Sequence, residues 1–170
     1  MKGNGNGCPW RRDALACVLA ASLAGLFAAA ALPSGSGAVW AGQASCPPTA
    51  ADAEGPFYVP NAPVRSVIGR GLVVMGTVRS AGSCTPIPGA RLEWWQANPR
   101  GEYDNAHRAT QTADTDGRYR FETNPPGVYP GRPPHLHVKI SAPGYRTLTT
   151  QVYPKAEQTE IASDFVLRPQ

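Results

Sequence analysis

The chain has 170 residues, with 16 lysines and arginines, 12 aspartates and glutamates, and a formal net charge of +4. This length is typical of one domain, and the sequence shows no internal repeat and no second domain. The positive charges form no basic run and no basic helical face, so the composition argues against a nucleic-acid partner.

The N-terminal quarter has the layout of a secretory signal peptide. Residues 14–31 are almost entirely apolar and follow a basic head containing Lys2, Arg11 and Arg12. Small residues precede a cleavage site expected after Ala41, so we assign 1–41 to the signal and 42–170 to the mature domain. The expected location is periplasmic or extracellular. An uncleaved anchor is the alternative, although the apolar stretch is barely long enough to span a bilayer.

The adjacent Arg11 and Arg12 suggest export by the twin-arginine route. The residues around the pair do not match the usual motif, because Asp13 and Ala14 follow it. General secretion therefore remains open as the alternative route.

Four cysteines are present, and two of them, Cys8 and Cys17, leave with the signal. The remaining pair, Cys46 and Cys84, would face an oxidising compartment, which favours a disulfide between them. Two free thiols or soft metal ligands are the alternatives.

Beyond a Gly/Ser/Pro-rich lead-in at 33–50, helical periodicity is absent and short β-type runs recur between turns. Since short strands without helices must cover one sheet with another, the chain is predicted to be an all-β, two-sheet sandwich with long Pro/Gly-rich loops. Alternation places Leu92 and Trp94 on one strand face and Arg91, Glu93 and Trp95 on the other. The predicted strands are Gly71–Ser80, Ala90–Gln96, Arg118–Thr123, His135–Ser141, Thr147–Tyr153 and Ser163–Leu167.

The strongest chemical feature is the run Pro133–His137. On a strand, residues two apart share a face, so His135 and His137 point together while Leu136 points into the sandwich. Two converging imidazoles form half of a metal site, although ordinary strand histidines show the same spacing. Tyr129 and Arg132 lie a few residues upstream, and Tyr103 follows the strand that contains Trp94.

With these residues in place, the sequence resembles the intradiol ring-cleavage dioxygenases, a family that includes catechol and protocatechuate dioxygenases. The resemblance covers about residues 46–168, and its specific part is the combination of two tyrosines with Arg-x-x-His-x-His. The matching stretches are Glu54–Tyr58, Pro86–Ala90, Trp95–Asn98, Gly101–Tyr103, Asp116–Phe121, Pro126–Tyr129, Arg132–His137 and Gln151–Tyr153.

The resemblance implies a non-haem ferric ion in each chain, held by Tyr103, Tyr129, His135 and His137. Tyr129 would also leave the metal as a base during catalysis, Arg132 would lie over the substrate, and Gln151 would help to orient it. The implied reaction cleaves a catechol-type ring between its two hydroxyls with O2, giving a cis,cis-muconate-type diacid.

The donor chemistry agrees with that implication. Two phenolates are hard anionic ligands that favour ferric iron, in contrast to the ferrous site of two histidines and one carboxylate. Holding two tyrosinates at pH 7 costs about 8 kcal/mol if each pKa falls by about three units. Metal binding of the strength seen at structural zinc sites, roughly 10–16 kcal/mol, covers that cost.

Other residues are assigned less specific roles. His107 is expected to be exposed in the loop after Tyr103. Pro56, Phe57 and Tyr58 are expected to wall the substrate pocket, with a structural N-terminal turn as the alternative.

Two competing functions are a β-sandwich binding module without chemistry and a copper or zinc enzyme that uses the three histidines. The expected partners are a small catechol-type substrate and O2, with no nucleic acid and no stable membrane association. A homo-oligomer is left open.

Overall fold

The computed structural model describes residues 45–128 and 130–170. The predicted signal peptide, its expected cleavage position and Tyr129 therefore lie outside the described residues. Within the described part, no helix is long and apolar enough to cross a membrane.

Eight strands form two sheets, as the all-β sandwich prediction requires. The first sheet has the order β4-β1-β7, with β8 also paired to β1, and the second has the order β3-β2-β5-β6. Since no helix occurs among these residues, the two sheets cover each other. The strands are β1 Leu72–Ser80, β2 Arg91–Ala97, β3 Tyr103–Thr112, β4 Arg118–Thr123, β5 Leu136–Ser141, β6 Leu148–Val152, β7 Glu160–Ala162 and β8 Phe165–Leu167.

The core lies between the sheets and is built around Trp94. Its ring stacks on Phe121 with centroids 4.6 Å apart, and Phe165 packs at 6.1 Å. Leu92 and Leu136 are also buried in this cluster. The predicted inward faces of β2 and β5 are therefore confirmed.

Two strands were not predicted. The segment expected to be a turn and loop after Gly101 forms β3, a ten-residue strand beginning at Tyr103, and Glu160–Ala162 forms the short β7. The remaining six strands match the expected ones to within one or two residues at each end.

The segment before β1 is ordered by contacts with distant strands. We call residues 46–58 the N-terminal strap. The backbone N–H of Thr49 donates to the carbonyl of Val166 at 3.0 Å, and that of Asp52 donates to the carbonyl of Thr149 at 3.0 Å. The predicted disulfide is present: Cys46 is bonded to Cys84, with the Cα atoms 5.3 Å apart. The strap is thereby attached to both sheets.

Candidate metal centre

The side chains of the candidate site lie on the outer face of the second sheet. In the register of this sheet Trp95 pairs with His137, and His137 pairs with Gln151. These residues alternate with core residues such as Trp94 and Val138, so their side chains point away from the core. The strap lies over this face, which buries both histidines.

Three donor atoms meet beneath the strap. The Tyr103 hydroxyl lies 3.3 Å from His135 Nε2 and 3.2 Å from His137 Nε2. The two Nε2 atoms are 3.0 Å apart. The structure therefore brings together Tyr103 and both histidines, three of the four residues that the resemblance implies as ligands.

His135 is held in the form that a metal ligand needs. Its Nδ1 lies 2.7 Å from the carbonyl oxygen of Pro133, which can only accept a hydrogen bond. Nδ1 therefore carries the proton, and the lone pair remains on Nε2, the atom that faces His137 and Tyr103.

His137 is also kept neutral. Burial, together with the nearby His135, lowers the pKa of its imidazole to about 4. The indole of Trp95 lies flat on the ring, with centroids 4.8 Å apart and planes 6° from parallel. A neutral imidazole with a fixed ring plane is the form that binds a metal ion.

The donors open into a small cavity of about 50 Å³. Arg132 and Gln151 line it, and the Arg132 guanidinium donates to Gln151 Oε1 at 2.7 Å. Pro56 and Phe57 form another wall, and the Phe57 ring stacks on Tyr103 with centroids 4.2 Å apart.

Tyr58, in contrast, does not line this cavity. Its ring packs edge-on against Trp95, with centroids 5.1 Å apart, and lies under the ammonium group of Lys139 at 3.8 Å. The hydroxyl donates to Glu93 at 3.3 Å. Pro56 and Phe57 form a turn, and Tyr58, which follows it, packs on β2 and β5 instead of entering the cavity.

The loop leading to Tyr129 passes close to Tyr103. The backbone N–H of Gly127 donates to the carbonyl of Asn98 at 3.1 Å, which also accepts from Gly101. A Cβ at Gly127 would lie 2.3 Å from that oxygen, and one at Gly101 would lie 2.2 Å from the carbonyl of Val128. Two glycines thus allow residues 127–128 to pack on the turn that precedes Tyr103.

His107 does not join the site. It lies on β3 and is largely buried, which corrects the expectation of an exposed loop residue. Its Nδ1 contacts Asp104 at 2.7 Å and its Nε2 contacts Asn124 at 3.1 Å. Although burial raises the pKa of the Asp104 carboxyl, hydrogen bonds from Asn98 and His107 lower it to about 2. A three-histidine metal site is therefore not formed.

Sequence analysis left three neighbours of the site without a role. Trp95 was placed on the outer face but not against His137. Tyr153 lies two residues after Gln151, so the two side chains share a face, and this spacing could have identified Tyr153 as a neighbour of the site. The carboxylate of Asp52 contacts the Tyr153 hydroxyl at 2.9 Å. Nothing in the sequence indicated this contact, because the strap shows no strand pattern that would predict where it packs.

The donor set suits a metal that accepts oxygen and imidazole ligands. Donor atoms 3.0–3.3 Å apart match what a single ion bound at about 2 Å requires. Among the described residues, no group of three or more His, Cys, Asp and Glu side chains forms a site. The third donor is thus the phenol of Tyr103, which favours ferric iron over zinc.

A family model described as "Dioxygenase" matches residues 50–168. The chain belongs to the intradiol ring-cleavage dioxygenase family. Among the family's members, it is 31% identical to catechol 1,2-dioxygenase of Candida albicans, over 58% of this chain and 45% of that one. Hydroxyquinol 1,2-dioxygenase of Nocardioides simplex is 32% identical, over 65% and 48%. The chain spans about half the length of these curated family members.

A solved structure of a dioxygenase domain matches the chain over almost the whole length of that domain. The dioxygenase domain of a dioxygenase carbohydrate-binding protein fusion from Streptomyces sp. SirexAA-E is 34% identical, with a TM-score of 0.66. The match covers 72% of this chain and 99% of that domain. Hydroxyquinol 1,2-dioxygenase from Pseudomonas putida DLL-E4, at 21% identity and a TM-score of 0.66, shares the fold.

Proposed function

We propose that this protein is a ferric-iron-dependent intradiol dioxygenase that cleaves a catechol-type ring between its two hydroxyls with O2. The product would be a cis,cis-muconate-type diacid. The observation that carries the proposal is the convergence of Tyr103, His135 and His137 in the cavity that also contains Arg132. Similarity to catechol and hydroxyquinol dioxygenases supports the substrate class.

Tyr103, Tyr129, His135 and His137 would hold the iron. When bound there, ferric iron would draw electron density from a coordinated catecholate and so prepare its ring for O2. Tyr129 completes the set by its place in the sequence, since residues 127–128 pack beside the turn before Tyr103. Released as a phenolate, Tyr129 would take one of the two protons that the catechol must lose.

The remaining cavity residues would stabilise and shield the reacting substrate. The Arg132 guanidinium is a fixed cation at the cavity wall, where it can stabilise negative charge that develops on the ring. Gln151 fixes its direction through the 2.7 Å hydrogen bond. The strap, with Pro56 and Phe57, limits access of water to this face.

Metal analysis and a visible spectrum test the proposal. Purified protein should contain about one iron per chain and show a broad visible band that shifts to longer wavelength when catechol is added. Tyr103→Phe and His135→Ala should lose most of the iron, because each removes a donor. His107→Gln is the matched control and should keep both iron and colour, since His107 binds Asp104 and Asn124 instead. A colourless protein, or one loaded with zinc or copper, contradicts the assignment.

We also propose that the mature domain acts after export, in the periplasm or outside the cell. The Cys46–Cys84 disulfide supports this, because such bonds persist in oxidising compartments. Fractionation of cells that express the full chain tests it, and accumulation of the uncut chain in the cytoplasm would contradict it.

A further inference from the structure

Arg132 is held by more than Gln151. The same guanidinium nitrogen that donates to Gln151 Oε1 also donates to the Tyr153 hydroxyl at 3.0 Å. The Tyr153 hydroxyl in turn lies 2.9 Å from Asp52 Oδ2 and 2.7 Å from Gln151 Oε1. Two side chains of one segment, Gln151 and Tyr153, therefore contact the cation, and Asp52 of the strap is joined to it through Tyr153.

The single hydroxyl hydrogen of Tyr153 sets the direction of this chain of bonds. Of its two neighbours, the Asp52 carboxylate is charged and the stronger acceptor, while Gln151 Oε1 already accepts from Arg132. Tyr153 therefore donates to Asp52 and offers its oxygen lone pair to the guanidinium. The result is a continuous chain from Asp52 through Tyr153 to Arg132.

Asp52 is itself fixed by the strap. Its backbone N–H donates to Thr149 on β6, and its Oδ1 accepts from the N–H of Ala53 at 2.7 Å. The next carbonyl, that of Ala53, accepts from Gln151 Nε2 at 2.6 Å. The strap thus holds both groups that contact the arginine, Gln151 through the Ala53 carbonyl and Tyr153 through Asp52.

Such support matters because Arg132 lies in a loop. An arginine side chain has many rotamers, and Arg132 lies between a turn and Pro133, outside the eight strands, so its hydrogen bonds are needed to restrict them. A cation contributes to transition-state stabilisation only when it is fixed before the charge develops. Gln151 alone supplies one acceptor to one edge of the guanidinium.

We propose that Tyr153 and Asp52 are positioning residues that aim the Arg132 guanidinium at the substrate. This inference rests on the proposed function for the identity of the substrate. It assigns neither residue to the metal, and it predicts that both act only through Arg132.

The first test measures Arg132 directly in iron-free protein. In protein with 15N-labelled arginine, the guanidinium N–H signals of Arg132, assigned by their loss in Arg132→Lys, should be resolved and slow to exchange with water. In Tyr153→Phe they should broaden and exchange faster, because one acceptor is gone. Tyr145→Phe, whose ring packs against the core, is the control and should leave the signals unchanged. Identical Arg132 signals in Tyr153→Phe and wild type would overturn the proposal.

The second test is a double-mutant cycle on the iron-loaded protein. Tyr153→Phe should keep iron and colour and lower kcat/KM for catechol roughly tenfold, the effect of about one hydrogen bond. Asp52→Asn should lower it less, since the amide oxygen still accepts. In an Arg132→Lys background, Tyr153→Phe should change kcat/KM less than twofold. An equal loss in both backgrounds would show that Tyr153 does not act through Arg132.

The two tests separate this inference from the proposed function. If wild-type protein with iron fails to turn over any catechol while the Arg132 signals respond to Tyr153→Phe, the proposed function fails and the positioning chain stands. If catechol is cleaved and the signals do not respond, the positioning chain fails and the proposed function stands.

Discussion

At the scale of single residues, His137 shows how packing prepares a ligand. Its side chain is almost fully buried and lies against the Trp95 indole. Burial in this position lowers the pKa of the imidazole to about 4, from an ordinary value of 6.5. A lone pair is therefore available at neutral pH without competition from a proton.

This shift predicts acid sensitivity of the iron-free protein. Above pH 6.5 His137 is neutral in both the folded and the unfolded chain, so it contributes no pH dependence. As the pH falls below 6.5, the unfolded chain gains a proton that the folded chain does not bind until about pH 4. The free energy of unfolding should therefore fall by roughly 3 kcal/mol over this window because of His137 alone.

Urea unfolding of the iron-free protein at pH 7 and pH 4 measures this effect. His137→Gln is the comparison, because it keeps a polar side chain of similar length but cannot titrate. The difference between the two pH slopes isolates His137 from the carboxylates. Parallel slopes for wild type and His137→Gln would contradict the prediction.

Phe57 is predicted to select among substrates. Its ring stacks on Tyr103 and fills part of the small cavity. Phe57→Leu should open space beside Tyr103 and raise kcat/KM for catechols with bulky ring substituents, relative to catechol, by about tenfold, the lower end of the range for one methylene contact in a pocket. Tyr58→Leu, outside the cavity, should leave this ratio unchanged; a shift of the same size there would place selection elsewhere.

At the scale of elements, most strands could be predicted because their alternation matches the core. Leu92 and Trp94 in β2, and Leu136 and Val138 in β5, show this period clearly. β3 could not be predicted, because it is an edge strand of mostly polar residues. Its buried residues, including Arg108 and Thr110, are covered by the irregular segment before β1, from which Pro63 accepts a backbone hydrogen bond.

Part of the candidate site could likewise be predicted from the sequence, and part of it could not. His135 and His137 share a strand face, so local periodicity brings them together, while Tyr103 joins them through the pairing of β3 with β2. Resemblance to a family, rather than periodicity, identified Tyr103 as their partner. The strap could not be placed from sequence, because its contacts join residues about a hundred positions apart, such as Ala53 and Gln151.

The packing of the loop before Tyr129 on the Asn98 turn leads to a prediction at this scale. Gly127→Ala would place a Cβ 2.3 Å from the Asn98 carbonyl and 2.6 Å from the Gly101 nitrogen, both backbone atoms. The loop must shift, so the variant should fold but lose most of its iron and colour. Gly144→Ala is the control: no atom lies within 4 Å of its added Cβ, although its positive φ of 79°, which Gly127 does not share, makes alanine strained there. If both variants retain iron equally, the loop does not position a ligand.

At the scale of the whole molecule, the disulfide stabilises the attachment of the strap. Cys46 and Cys84 are 38 residues apart, a loop for which the chain-entropy model gives about 4 kcal/mol. This is a large share of the roughly 5–15 kcal/mol that a domain of this kind has in total. Reduction should therefore lower the melting temperature by well over 10 °C.

Thermal unfolding with and without reductant measures this shift, and thiol titration of the denatured, unreduced mature protein should find no free cysteine. A Cys46→Ser/Cys84→Ser variant should match the reduced protein and be insensitive to reductant. An unchanged melting temperature on reduction would mean that the strap's hydrogen bonds hold it without the disulfide.

The pairing of Thr49 with Val166 sets the order in which the centre is completed. Thr49 and Val166 exchange hydrogen bonds at 2.8 and 3.0 Å, so the strap has its full set of partners only when β8 is in place. All four proposed ligands precede β8 in the chain. During synthesis the strap and the proposed ligands are thus present before β8, whose pairing with the strap joins residues 117 positions apart, and long-range pairings of this kind are slow to form. We expect iron to be retained only by chains that have folded to their last strand.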